Sequence, residues 1–196
     1  MRSFRVLYDE WLTKSPLLTK SLTSAALFGL GDCIAQRLEE DDDSSAADSS
    51  EGNEGSMERT VRMMVWGGLL FAPVAHGWYN GLERVVRGTG KLAVVQKIAL
   101  DQLVFTPPVT LAFFTSTKLM EQRRLDALPL AWEEATNKLV PTLQVNYVVW
   151  PLIHVCTFGF VPLRYRILFI NCMSLGWSAF LSGMSNKRTE TLAATS

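Results

Sequence analysis

Histidine and cysteine are scarce in this chain of 196 residues, two and three respectively, and their placement excludes more than their number. His76 and His154 have no cysteine or carboxylate companions at ligand spacing, so no metal site is expected. Cys33, Cys156 and Cys172 form neither an even set nor a close pair, which argues against a disulfide framework. No nucleophile, base and orienting group stand at a readable spacing, so neither an enzyme nor a cofactor is expected. Lys and Arg are dispersed as loop pairs, such as Arg123 with Arg124 and Arg164 with Arg166. They form no basic stripe, which excludes nucleic acid as a partner and favours contact with the head groups of membrane lipids.

Charge is missing from two stretches in different ways. Between Glu39 and Glu58 there is no Lys or Arg, while Glu39, Glu40, Asp41, Asp42, Asp43, Asp48, Glu51, Glu54 and Glu58 accumulate among Ser, Ala and Gly. Such a block cannot bury enough apolar area to offset the entropy of ordering, so 38–60 reads as a disordered acidic loop. It is a solvated linker or a docking site for a basic protein partner. The chain holds 19 acids and 19 bases, so outside this loop the bases dominate. The neutral total and the mean hydropathy of +0.13 therefore average two unlike parts.

The second stretch, Leu143 to Leu163, has no Asp, Glu, Lys or Arg at all, yet carries Asn146, His154, Pro151, Pro162 and Trp150. It is one of five apolar blocks that approach the roughly 20 residues a helix needs to cross a bilayer. The others are Leu17 to Gln36, Val61 to about Val86, Ile98 to Met120 and Ile167 to Met184. In water, the last two blocks would expose a large apolar surface on either side of the "RYR" turn. The expected fold is therefore all-α, a polytopic transmembrane helical bundle with about four principal spans, one block being broken, tilted or partly inserted. Proline inside such helices is tolerated where neighbours satisfy the freed backbone groups. Pro107 and Pro108 are expected to bend or break the third block, and Pro162 to make an interfacial turn with Arg164 and Arg166.

The organisation follows from these blocks. Residues 1–16 place Phe4, Leu7, Tyr8, Trp11 and Leu12 at helical spacing, which predicts an amphipathic interfacial helix. The segment fits neither a cleaved secretory signal nor an Arg-rich, acid-poor transit peptide, and the closing AATS is no peroxisomal tripeptide. Ser15 and Pro16 open the first membrane helix, 17–37, as N-cap and first helical residue. The bundle occupies 61–184 and a polar tail 185–196. Lys and Arg divide evenly between the two sides and give no orientation.

Polar groups inside the apolar blocks are the candidate functional residues, because a charge facing lipid at the bilayer centre costs about 2.5–3.5 kcal/mol on insertion scales. Asp32, Gln36, Asp101, Gln102, Asn146 and His154 are expected to face one another or water. The two carboxylates either line a polar lumen or pair with Lys20, Arg62 or Arg166 or cap helix ends. Gly29 and Gly31 beside Asp32 permit close helix approach, and the Ala25/Gly29 face allows a homo-oligomer.

Several separated motifs, in order, resemble the Mpv-seventeen family, also called the peroxisomal membrane protein of twenty-two kilodaltons family. They are "ALFGLGDCIAQ", "GWYNGLERV" with Trp78 and Tyr79, "ALDQLVFTP" ending at Pro107, and Pro141 followed by "NYVVWP" with Trp150 and Pro151. "VPLRYR", with Pro162 and Arg166, then leads to Trp177 and "FLS". The likeness is greatest to the mitochondrial inner-membrane branch. It implies a small organelle membrane protein with about four spans, located in the mitochondrial inner membrane, with the peroxisomal membrane as alternative. It also implies channel-like permeation of small solutes, a role in stress metabolism and mitochondrial DNA upkeep, and no enzymatic activity. A non-conducting scaffold that recruits partners through its loops is the competing reading. The chain departs from the family pattern at His154, where glutamine is usual, and at Thr157 and Ser178, where asparagine is usual. All three still form hydrogen bonds, which suggests retained polar contacts between the last two helices. A histidine would also make a conductance depend on pH near 6.5, about where the free side chain titrates.

Overall fold

The computed structural model describes residues 4–40, 51–88 and 90–176, and every regular element among them is helical. Helix α1 is Phe4–Lys14, α2 Pro16–Glu40, α3 Glu51–Val65 and α4 Ala72–Val85, with a π-helical turn, Trp66–Phe71, running α3 into α4. Helix α5 is Lys91–Leu100 and α6 Thr106–Gln122, joined by a second π turn, Asp101–Phe105. A short 3-10 turn, Leu125–Ala127, precedes α7, Leu128–Gly159; another, Leu163–Tyr165, leads into α8, which covers 166–176. The middle of the expected acidic loop, 41–50, lies outside the described residues, as do Trp177, Ser178 and the polar tail. Helix is present up to Glu40 and again from Glu51, inside the stretch read as loop.

Length and composition qualify two stretches as bilayer-crossing helices, Lys91–Gln122 and Leu125–Gly159, where the sequence reading expected about four spans. Polar residues such as Lys20, Asp32 and Arg37 dilute α2, and the described part of α8 is short. The fourth block is the C-terminal half of a longer helix, since α7 has 32 residues and continues through Pro141 and Pro151. Nor does the Pro107-Pro108 pair break the third block. The amide of Thr106 bonds five residues back to Asp101, and this widened turn carries the helix into the prolines. The same device precedes Pro73, where the Ala72 amide reaches the Gly67 carbonyl.

Burial is inverted relative to a water-soluble bundle. Leu103, Val148, Leu152 and Phe160 are exposed, while Lys97 at 1%, Asp101 at 2%, His154 at 3% and Asn171 at 2% exposure are enclosed. Apolar side chains turned outward and polar ones inward are what a hydrocarbon surround selects. The buried apolar core, built on Ala75, Leu82, Val86, Ile167 and Ile170, also contains a set of aromatic contacts. Trp78 stacks on Phe105 at 4.9 Å between ring centroids, and Tyr79 meets Phe105 at 6.2 Å and the edge of Phe158 at 6.0 Å. Such pairs contribute about 0.5–1.5 kcal/mol each beyond area burial. They tie α4 to the second π turn and to α7.

Small residues let α2 lie close to the first π turn. A Cβ at Gly68 would fall 2.9 Å from the Ala25 Cβ and 3.1 Å from the Ser21 carbonyl oxygen, and one at Gly67 2.6 Å from the Phe28 ring. At Gly29 the same position would meet Met64 at 2.6 Å. The Ala25/Gly29 face is thus filled from within the chain. Gly68→Val is expected to destabilise the fold by about 1–3 kcal/mol through overpacking. Thermal unfolding in detergent measures this, and an unshifted midpoint would mean that α2 yields freely.

Candidate functional site

Asp101 opens the second π turn and is the centre of the most enclosed polar cluster. Its Oδ1 accepts from the indole Nε1–H of Trp78 on α4 at 2.9 Å, and its Oδ2 lies 3.0 Å from Nε2 of His154 on α7. The Gln102 amide nitrogen sits at a longer 3.4 Å from Oδ2, and Tyr147 on α7 donates to the Gln102 carbonyl at 3.1 Å. The π turn also leaves the Asp101 carbonyl able to accept from the Thr106 hydroxyl at 3.0 Å. With Asp101 accepting, the imidazole carries its proton on Nε2, and Nδ1 points away from the carboxylate. Among the described residues, four buried side-chain atoms have no hydrogen-bond partner: His154 Nδ1 and Gln102 Oε1 in this cluster, and Thr115 Oγ1 and Asn171 Oδ1 away from it.

Both residues line a cavity of about 280 Å³. Its polar lining is made by Asp101, Gln102, Thr106, Asn146, His154 and Ser174, drawn from the second π turn, α6, α7 and α8. Aromatic rings are interspersed with these groups, among them Phe28, Trp66, Phe71, Phe113 and Trp150, the last one turn before His154 on α7 with its ring 5.9 Å from the imidazole. Four of the residues expected to gather inside the bundle, Asp101, Gln102, Asn146 and His154, therefore line one cavity.

Asp32 and Gln36 lie elsewhere. Asp32 is paired with Arg59 on α3 at 2.8 Å, accepts from the Thr60 hydroxyl at 2.8 Å and from Gln36 at 2.5 Å, and does not line the cavity. Gln36 also donates to the Ser56 carbonyl at 3.0 Å and is hydrogen-bonded to the Ser56 side chain. This cluster fastens α2 to α3. Its cation is Arg59, which sequence reasoning set aside with the acidic loop, and not Lys20, Arg62 or Arg166.

Arg166 turns inward from the α7–α8 turn rather than outward to head groups. It pairs with Glu83, donates to the Val161 carbonyl at 3.2 Å and lies over the Phe158 ring at 5.2 Å. Glu83 also holds the buried Lys97 ammonium, at 2.8 and 2.9 Å, and Lys97 reaches the Gly88 carbonyl at 3.2 Å. The positive φ of Gly88, 99°, forms the turn that presents this carbonyl. Neither Glu83 nor Lys97 was singled out from sequence; a lone lysine inside "VVQKIAL" was the available signal. Lys20 finds the Nδ1 of His76 at 3.0 Å.

His154 bonds across to the second π turn, and the Thr157 hydroxyl bonds to the Ile153 carbonyl of its own helix at 2.9 Å. Neither makes the contact between the last two helices that the sequence suggested. Asn171 on α8 supplies a different one, donating to Ser24 on α2 at 2.6 Å. Pro162 precedes the 3-10 turn, accepting from the Tyr165 amide at 2.9 Å, and Gly31 faces Leu175 at ordinary contact distance.

The model of the Mpv17 / PMP22 family matches residues 118–182 of this chain. "Protein sym1" of Aspergillus oryzae is 38% identical over 176 residues, covering 89% of this chain and 94% of the relative. The chain belongs to the Mpv17 / PMP22 family. Within that family it is also similar to "Protein SYM1" of Saccharomyces cerevisiae, 32% identical over 190 residues, with 94% of this chain and 91% of the relative covered. "Mitochondrial inner membrane protein Mpv17" of Xenopus laevis is 31% identical over 181 residues, with 92% and 96% covered. No solved structure matches. The protein is a mitochondrial membrane protein of the Mpv17 / PMP22 family, in the inner-membrane branch expected from the sequence. The family match spans the Asn146 to Arg166 stretch, so it includes the α7 wall of the cavity and the arginine that meets Glu83.

Proposed function

We propose that the protein provides a weakly selective route for small solutes across the mitochondrial inner membrane, and that the Asp101–His154 cavity is its selective part. The observation that carries this reading is the pair of enclosed, unpartnered polar atoms, His154 Nδ1 and Gln102 Oε1, on the wall of a cavity inside an apolar-surfaced bundle. Asn171, an interhelical contact, also leaves one atom unpaired, but among the described residues only at Asp101 do two such residues line a cavity, where a passing solute could meet them. Thr106, Asn146 and Ser174 continue the polar wall and offer successive weak contacts, the condition for release as well as entry. Asp32, saturated by Arg59 and Thr60, serves in this reading as a fastener between helices. Proline and the π turn shape α6 where it borders the cavity.

Single-channel recording of the purified protein in a planar bilayer tests the proposal, beside Asp101→Asn and His154→Gln variants shown by unfolding to be folded. Discrete openings are expected, with cation preference reduced in Asp101→Asn. His154→Gln, which removes the imidazole bonded to Asp101, should likewise change the size or the selectivity of the openings. Electrical silence from inserted wild-type protein would transfer the role to a scaffold acting through its loops.

A further inference from the structure

The cavity's chemistry also selects among small solutes, a step that rests on its being the solute site proposed above. Its unpartnered polar atoms, enclosed at the wall, are acceptors. With the imidazole proton on Nε2 toward Asp101, Nδ1 presents a lone pair; with the Gln102 amide nitrogen turned to Asp101 and Thr106, Oε1 does the same. Behind both stands the Asp101 carboxylate, the one acidic side chain on the cavity wall among the described residues, where neither Lys nor Arg appears.

The aromatic lining reinforces the same sign. Trp66, Phe71, Phe113, Phe114 and Trp150 border the space, and aromatic faces carry negative potential that attracts cations, indole most strongly. The rings are held by one another: Trp66 meets the edge of Phe113 at 5.3 Å, and Phe113 meets Phe114 at 5.3 Å. An anion here would lose its hydration beside a carboxylate and gain no countercharge. A cation with N–H donors would meet two free acceptors, a carboxylate and ring faces together.

We propose that this cavity binds a small organic ammonium ion, a primary amine with an apolar or aromatic body. Its N–H groups are taken by His154 Nδ1 and Gln102 Oε1, enclosed in the unliganded structure and turning to the ligand on binding, with Asp101 as countercharge and aromatic rings around its body. The volume of about 280 Å³ lies at the lower edge of ordinary ligand pockets, about 300–1,000 Å³, which fits a body of one ring.

Phenethylamine is the probe, titrated calorimetrically into the full chain in zwitterionic detergent, with 3-phenylpropionate as the anion of similar shape and empty micelles as blank. The amine is expected to bind at least about tenfold more tightly than the carboxylate, a ratio that requires no variant. Asp101→Asn should weaken the amine by about tenfold, and Gln102→Leu, which leaves the Trp78 and His154 contacts of Asp101 in place, should weaken it several-fold. Equal binding of the two probes, or unchanged amine affinity in a folded Asp101→Asn protein, would overturn the assignment. Conductance without amine preference removes this inference and leaves the route standing. Amine binding by an electrically silent protein keeps the site and removes the route.

Discussion

Glu83→Ala is expected to cost the fold about 3–5 kcal/mol, because it leaves two enclosed cations without their acid. Lys97 is 1% exposed and Arg166 5%, and Glu83 is the carboxylate that each meets. The three residues come from α4, α5 and the start of α8, so the loss falls on the corner where these helices meet. Lys97→Met should cost less than Glu83→Ala, since Glu83 retains Arg166 and a flexible apolar chain replaces the lysine stem. Chemical unfolding in detergent, followed by tryptophan fluorescence, separates the two. Glu83→Ala no less stable than Lys97→Met would show that the cations find other acceptors or escape to water.

Asp101→Ala is expected to destabilise by about 2–6 kcal/mol, from two buried donors losing their acceptor at roughly 1–3 kcal/mol each. The donors are the Trp78 indole N–H and the His154 imidazole N–H, at 2.9 and 3.0 Å from the carboxylate. A double-mutant cycle assigns the loss. Once Asp101 is alanine, Trp78→Phe should cost clearly less than it does in the wild type, because the indole N–H has nothing left to bond. Strict additivity would mean that Trp78 contributes through stacking on Phe105 alone.

The pairing of Asp101 with His154 was half legible. Each residue stood out as costly inside its own apolar block, and the preference of buried charges for one another brought both into a single list. Which residue of that list meets which depends on how the helices are rotated, and here the π turn decides. Periodicity assumes 3.6 residues per turn and cannot register one extra residue, so the Pro107-Pro108 pair read as a break. For Asp32 the pairing alternative named other cations, for another reason. Its partner Arg59 sits directly after the acidic run, where low hydropathy concealed that helix begins again at Glu51. Glu83 and Lys97 lie near block ends, where a charge ordinarily marks the water interface. Their pairing, with Lys97 buried and Glu83 partly exposed, follows from the α4–α5 turn, which composition does not encode.

The two π turns have a consequence for how the bundle is phased. A widened turn inserts one residue, so every side chain beyond it is rotated by about 100° relative to an uninterrupted helix. Trp66–Phe71 does this for α4 against α3, and Asp101–Phe105 for α6 against α5. Each long helix thereby carries two independently aimed faces on one rod. Helix α3 turns Thr60 toward Asp32 while α4 turns Trp78 toward Asp101, and α5 sends Lys97 to the Glu83 corner while α6 sets Thr106 and Phe113 on the cavity wall. A single register offset in each rod thus lets one half act as a fastener and the other half as a vessel.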